Sequence, residues 1–138
     1  MEFVITENPS DEDIAEVRQG LRQHNLPFLG GVSESNVACF TYASDGSKVG
    51  GITGRIWGHW LLVKFLWVDE KLKSQGIGLK LLSMLENHAK EKGCKSVLVD
   101  TFSFQAKPFY EKHGYYCQMT LNDYPVVDQL HFLTKDLT

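Results

Sequence analysis

The sequence has no basic excess: 14 Lys and Arg stand against 17 Asp and Glu in 138 residues, a formal net charge of −3. The cations are scattered and form no blocks, so the counter-ion release that drives phosphate-backbone binding has little to draw on, and nucleic acid is not an expected partner. Long apolar runs are missing as well. The most hydrophobic stretch, Trp60 to Val68, is interrupted by Lys64 and falls far short of the roughly 20 residues of a membrane-crossing helix. Met1 to Glu7 carries neither a positive start nor a long apolar segment, so a cytoplasmic protein without a membrane partner is expected. Cysteine is scarce: Cys39, Cys94 and Cys117 are odd in number and show no Cys-x-x-Cys spacing, which speaks against a disulfide framework and a zinc site. They read as reduced, mostly buried thiols, and no metal is expected. Repeats, low-complexity tracts and linkers are also absent, which leaves one domain over residues 1–138.

What is present is ordinary globular material: 43% hydrophobic residues, 22% charged residues and a mean hydropathy of −0.21. Val4 to Thr6 reads as a short opening strand. Ser10, with Asp13 three residues on, resembles a capping box, and Ile14, Val17 and Leu21 keep helical spacing to about Asn25. Pro27 and Gly30-Gly31 then predict a loop over Leu26 to Ser35. Val37 to Tyr42 and Val49 to Trp57 read as strands around a turn at Ser44 to Ser47, and Gly58-His59 makes a second turn. Trp60 to Val68 is so continuously apolar that burial on both faces is expected, which puts it at the sheet centre. From Ile77, Leu81, Leu82, Leu85 and Ala89 form one stripe, with Lys80, Glu86, Lys90 and Glu91 facing away and Gly93 ending the helix. Ser96 to Thr101 is a further central strand. Gln105 to Lys112 is a short helix, and Tyr115 to Leu121 with Leu130 to Lys135 a closing hairpin. The expected order is βα, three antiparallel strands, α, β, α, ββ, a mixed α/β fold.

Between the buried strand and the long helix lies Lys73-Ser74-Gln75-Gly76-Ile77-Gly78. Glycines let the backbone swing its N–H groups toward one point, and the helix start adds partial positive charge, so the turn is a cradle for an anion such as pyrophosphate. A Walker loop needs Gly-Lys-Ser/Thr after the glycines, and a dinucleotide fingerprint needs a third glycine and a later acidic residue; neither is complete. Taken alone, the turn leaves a tight bend with no ligand as the lesser alternative.

Lys73 to Gly78 resembles the Arg/Gln-x-x-Gly-x-Gly/Ala signature of the GNAT N-acetyltransferase superfamily, with Lys in the first position, which keeps the charge but loses planar donor geometry. A second block, Ala106-Lys107-Pro108-Phe109-Tyr110-Glu111-Lys112-His113-Gly114-Tyr115, resembles the family's Ala-x-x-Phe-Tyr-Glu-Lys-x-Gly-Phe/Tyr pattern. Together the two span about residues 48 to 121. The resemblance implies a mostly antiparallel, splayed mixed sheet flanked by helices, with acetyl-CoA as cosubstrate. Its pantetheine arm would lie between the strands ending at Val68 and Thr101. Backbone groups of Leu66 and Val68 would meet the acyl carbonyl and the arm, with Trp67 between them in the cofactor site, and the N–H groups of Lys73, Ser74, Gln75, Gly76, Ile77 and Gly78 would hold the pyrophosphate. Ser103, Ala106 and Phe109 would complete the cofactor site, with Ser103 where many members carry Asn.

An amine attacks a thioester only when neutral, so a proton must leave it and the coenzyme A thiolate must be helped away. The resemblance makes Tyr110 the leaving-group acid; the plainer reading is a core tyrosine beside Phe109. Asp100, near a strand end, is a candidate base, and equally a cap for the helix after Phe104. Direct transfer is preferred over a covalent route through Cys94 or Cys117. The acceptor is expected against the early helix and loop, roughly Leu21 to Ser35, opposite the coenzyme, with Phe28, Trp57, Trp60 and Tyr124 as candidates to line it and core or interface packing as their plainer role. The expected enzyme acetylates a primary amine of a small molecule. The competing readings are a non-catalytic acyl-CoA sensor, a protein lysine or N-terminal acetyltransferase, and a dimerising scaffold, a homodimer being possible in any case.

Overall fold

Ser10 opens the first helix: its Oγ accepts the Asp13 N–H at 3.0 Å, and Asp11, Glu12 and Asp13 place negative charge beside the positive end of α1 (Asp11–Leu29). A computed structural model describes all of residues 1–138, and its contacts divide the chain into Met1–Val32 and Ser33–Thr138. Two expectations fail in the first unit. Val4 to Thr6 forms no strand, because apolar β-formers become a strand only against a ladder partner and these residues have none. The helix also does not stop at Asn25. It carries Pro27 inside it and ends at Leu29, so the loop predicted over Leu26 to Ser35 shrinks to residues 30–33. The fixed φ of proline is itself helical, so Pro27 forfeits only its own N–H bond, and the Gly30 N–H closes the last turn onto the Leu26 carbonyl at 2.9 Å.

The second unit contains β1 (Glu34–Tyr42), β2 (Lys48–Trp57), β3 (Trp60–Val68), α2 (Ile77–Glu91), β4 (Ser96–Phe102), α3 (Lys107–Lys112), β5 (Tyr116–Leu121) and β6 (Leu130–Asp136). The strands form one open six-stranded sheet in the order β1-β2-β3-β4-β6-β5. Every neighbouring pair is antiparallel except β3 and β4, which run parallel with α2 as their crossover. The element order from β1 onward is the one read from the sequence. No helix is long and apolar enough to cross a membrane.

The core sits on one sheet face. The stripe Leu81, Leu82, Leu85 and Ala89 of α2 is buried with Ile52, Leu61, Val97, Val99 and Leu133 of the sheet and with Tyr110 and Tyr115. Each such Leu, Ile or Val contributes roughly 1.5–3 kcal/mol over its exposed state. Close packing between strands also has a local requirement: a Cβ on Gly54 would come within 2.8 Å of the Leu62 carbonyl oxygen, so only glycine lets β2 lie that near β3. Of the cysteines only Cys94 is buried, while Cys39 and Cys117 are half-buried. Burial raises the Cys94 thiol above its ordinary pKa.

Glu86 departs from the helical-stripe reading. It does not face away but is 7% exposed, because two donors come to it from distant sequence. The Tyr115 hydroxyl donates to Oε2 at 2.6 Å and the Lys135 ammonium to Oε1 at 3.0 Å, and a buried carboxylate is tolerable when so paired. The three residues tie α2, β6 and the end of α3 together.

Burial, then the hydrogen bond to Glu86 and the Glu86 charge, push the Tyr115 phenol far above its ordinary pKa. The stability it supplies is therefore fully present below the unfolded value of about 10 and is lost as pH rises beyond it, when the unfolded chain releases a proton the folded chain keeps. Tyr115→Phe is expected to lower unfolding free energy by about 2 kcal/mol at neutral pH and to flatten the fall in stability above pH 10. Urea denaturation across pH 7 to 11 measures both.

Candidate active site

β3 and β4 are paired over three positions only, Trp60↔Ser96, Leu61↔Val97 and Leu62↔Leu98. Beyond Leu62 they part, although β3 remains on β2 as far as Val68 and β4 remains on β6 as far as Phe102. In the β2–β3 register Thr53 faces Phe65 while Gly54 faces Val63, so Lys64 is an inserted residue, a bulge of the kind that bends a strand. The gap is a cavity of about 950 Å³, at the upper end of ligand pockets. This explains why β3 is not buried on both faces: Leu61 and Val63 are buried, but Phe65 is 74% and Trp67 51% exposed, where β4 no longer continues beside them.

Strand alternation fixes which backbone groups face the gap. The Asp69 N–H donates to the Val49 carbonyl of the β2 side at 2.8 Å, so Trp67 also directs its backbone to β2, while Leu66 and Val68 direct theirs away, toward β4. Trp67 therefore offers the cavity its ring and not its backbone. The edge groups of Leu66 and Val68 lack a ladder partner on that side, which is the arrangement an extended amide-bearing ligand completes.

Below the gap, Asp69 Oδ1 accepts the Lys71 N–H at 2.9 Å and sets a single 3-10 turn, Glu70–Leu72. Ser74 and Gly76 then take left-handed φ values of 68° and 77° and reverse the chain into α2. The first amide in the helical ladder is that of Lys80, donating to the Gly76 carbonyl at 3.1 Å. The N–H groups just before it are the unsatisfied donors of a helix start. Lys73 is differently placed: its N–H is directed to the Glu70 carbonyl at 3.4 Å and its ammonium pairs with Glu70 at 2.9 Å. The amides without a partner begin at Ser74.

Leu66, Trp67, Val68, Lys73, Ser74, Gly76, Ile77, Gly78, Asp100, Ala106, Phe109 and Tyr110 all line the one cavity. Gln75 and Ser103 do not. Ser103 is occupied elsewhere, its Oγ accepting the Gln129 N–H at 3.2 Å and its own N–H donating to the Gln129 carbonyl at 2.9 Å. The capping role open to Asp100 is filled by other groups. Thr101 Oγ1 accepts the Ala106 N–H at 3.1 Å, and Gln105 Oε1 accepts the Phe102 N–H at 2.8 Å. That closed turn also delays α3 to Lys107. Trp57 and Trp60 pair with each other at the joined end of β3, away from the gap, and line no part of it. Phe28 belongs to the first unit. Lys64, Phe65, Phe102 and Lys112 line the cavity without having been singled out from sequence; their one signal was nearness to the ends of β3, β4 and α3. His113, which as a lone loop histidine is not an expected catalytic residue, lines it as well.

Tyr110 is 3% exposed, its ring edge-on to Phe109 at 5.2 Å and Tyr115 at 5.3 Å. Burial, helped by the Asp100 charge, pushes its phenol up to about 12. A sheet that parts over unpaired backbone groups, beside a turn with free amides and a proton-retaining tyrosine, is the arrangement that the resemblance implies for an acyl-CoA-dependent N-acetyltransferase.

The model of the acetyltransferase (GNAT) family matches residues 4–115. The chain is 36% identical over 101 residues to a blasticidin-S acetyltransferase of Streptomyces morookaense, covering 72% of this chain and 74% of that one. It is 32% identical over 115 residues to an acetyltransferase of Agrobacterium fabrum, covering 83% and 84%. The crystal structure of an acetyltransferase from Bacillus cereus superposes with a TM-score of 0.86 at 34% identity, over 96% of this chain and 97% of that one. The chain belongs to the GNAT acetyltransferase family, whose cosubstrate is acetyl-CoA.

The two glycines of the turn are expected to behave differently. A Cβ on Gly78 meets only Phe109 and Val68 at 3.8 and 3.9 Å, ordinary contact, whereas Gly76 sits at φ +77°. Gly76→Ala forces a left-handed alanine, about 1–2 kcal/mol of strain, and should raise the acetyl-CoA Kd about tenfold. Gly78→Ala should leave it within about threefold and slightly raise stability. Calorimetric titration of both variants distinguishes them.

Proposed function

We propose that the protein transfers the acetyl group of acetyl-CoA to the primary amine of a small molecule by direct attack within the β3–β4 gap. The observation carrying this reading is that the gap-facing backbone of Leu66 and Val68, the free amides from Ser74 onward, Tyr110 and Asp100 all border one cavity. The 36% identical relative named for blasticidin S, a small molecule, supports the acceptor class. The family match, running from residue 4 to residue 115 across both units, supports one acyltransferase domain over the chain. Free cysteines and the absence of a long apolar helix accord with a cytoplasmic setting.

Acetyl-CoA supplies the activated thioester. The amides of residues 74–78 hold its phosphates at the helix start, and the β3 edge aligns the arm as an added strand. The Leu66 N–H faces the place where negative charge grows on the carbonyl oxygen, and a backbone donor needs no special side chain to stabilise it. Asp100 takes the proton from the incoming ammonium, directly or through water. The neutral amine attacks the thioester carbonyl carbon, the C–S bond breaks, and Tyr110 donates its proton to the departing thiolate while its phenolate regains one from the acetylated nitrogen.

The sign of the pH effect follows from the raised pKa of Tyr110. The donor form persists through the neutral range and is lost only as pH rises through about 12, so Tyr110 sets no alkaline limb below about pH 11. Tyr110→Phe is expected to lower kcat about 100-fold with acetyl-CoA affinity nearly unchanged and the shape of the pH profile below 11 retained. Thiol release with an amine panel measures this, and undiminished turnover would remove the assignment.

A further inference from the structure

We propose that the acceptor is a primary alkylamine carrying a planar aromatic or heteroaromatic ring, bound as its ammonium beside Asp100 on the sheet face opposite α2; this deepens, and rests on, the acetyl-transfer reading. Directly opposed residues in a ladder share a face, and alternation along each strand separates the two faces. Ile52 pairs with Leu66 on the core side, so Gly51↔Trp67 and Thr53↔Phe65 put Trp67 and Phe65 on the other. On β4, Val97, Val99 and Thr101 are buried toward the core, which leaves Asp100 and Phe102 on the same outer face as Phe65 and Trp67.

All four residues line the cavity, and Asp100 is the one carboxylate among the lining residues. Around it the walls are aromatic. Phe65 and Trp67 form one lip; Phe102 forms the other, with Phe104 stacked on it at 5.1 Å and 10° between planes and Tyr124 tilted against it at 6.0 Å. Phe104 is 66% and Tyr124 43% exposed. Rings held open to solvent on both sides of a single carboxylate fit a ligand that brings a π-face for stacking and a positive charge for the carboxylate, and the ammonium gains further from the ring faces. An amine of equal charge without an aromatic ring satisfies Asp100 alone. The core-side wall differs in kind: it carries the amides from Ser74 onward, Tyr110 and Phe109, the groups assigned to the coenzyme.

Phenethylamine and 2-cyclohexylethylamine have the same charge and chain length and differ in ring planarity. Their dissociation constants, by calorimetry with coenzyme A present, and their kcat/KM, by thiol release from acetyl-CoA, test the inference. Phenethylamine is expected to be favoured about tenfold or more in both, and Phe65→Ala and Phe104→Ala, each at an exposed ring, to cut that preference to about threefold or less by raising KM. Equal binding of the two amines, or a preference that survives the doubly substituted protein, overturns the proposal. Thiol release without ring preference rejects the aromatic subsite and keeps acetyl transfer. Ring-selective binding without release from any amine keeps the subsite and rejects acetyl transfer.

Discussion

The hydrogen-bonded ladder between β3 and β4 stops after three residue pairs, and the rest of the structure is arranged around that stop. A parallel pair that ran its full length would bury β3 on both faces, pair the Leu66 and Val68 backbone, and close the cavity. The interruption is sustained from the sequence of β2 and β3 themselves. Gly54 allows the two strands to approach where a side chain would strike the Leu62 carbonyl, and the extra residue Lys64 bends β3 away immediately afterwards. Each half of the sheet stays internally paired, so the opening costs the fold only the ladder between two strands.

One helix connects this opening to the core. The start of α2 forms the upper side of the glycine turn, while its middle is clamped by the buried leucines and by Glu86, held from Tyr115 and Lys135. An anion cradle works only if its amides are fixed before the anion arrives, since reorientation on binding would consume the interaction energy. The Glu86 cluster and the leucine stripe supply that rigidity from about two turns further down the helix. The side chains around the gap divide by charge accordingly: Lys64, Lys73 and Lys112 line it, against the lone carboxylate of Asp100.

The parts legible in the sequence were those whose information is local. The α2 stripe, the glycine turn and the Ala106 to Tyr115 block each lie within a dozen or so consecutive residues; the stripe is buried in the core, while five of the six turn residues and five of the ten in the block line one cavity. Features that depend on distant partners were hidden. Glu86 has the spacing of a solvent-facing charge and is buried because donors arrive from 29 and 49 residues away. Trp60 to Val68 reads the same whether its apolar residues meet protein or ligand, so an interrupted ladder looked like a buried strand. Pro27 and Ser103 mislead for related reasons. A proline preference is not a prohibition, and the Ser103 hydroxyl is claimed by Gln129 across a loop. The aromatic outer face escaped notice because it exists only through register, which pairs Phe65 with Thr53 and Phe102 with Leu130.

Lys64 has a bearing on what happens when the coenzyme is scarce. A strand edge with unpaired amides is an invitation to any other extended chain, and sheets commonly guard such edges with a lysine, a bulge, or both. β3 carries both at one residue, in the middle of an otherwise apolar run. The edge that must stay open for a small ligand is thereby made unattractive to a polypeptide, so the empty enzyme is protected from edge-to-edge aggregation by the same bend that admits its substrate.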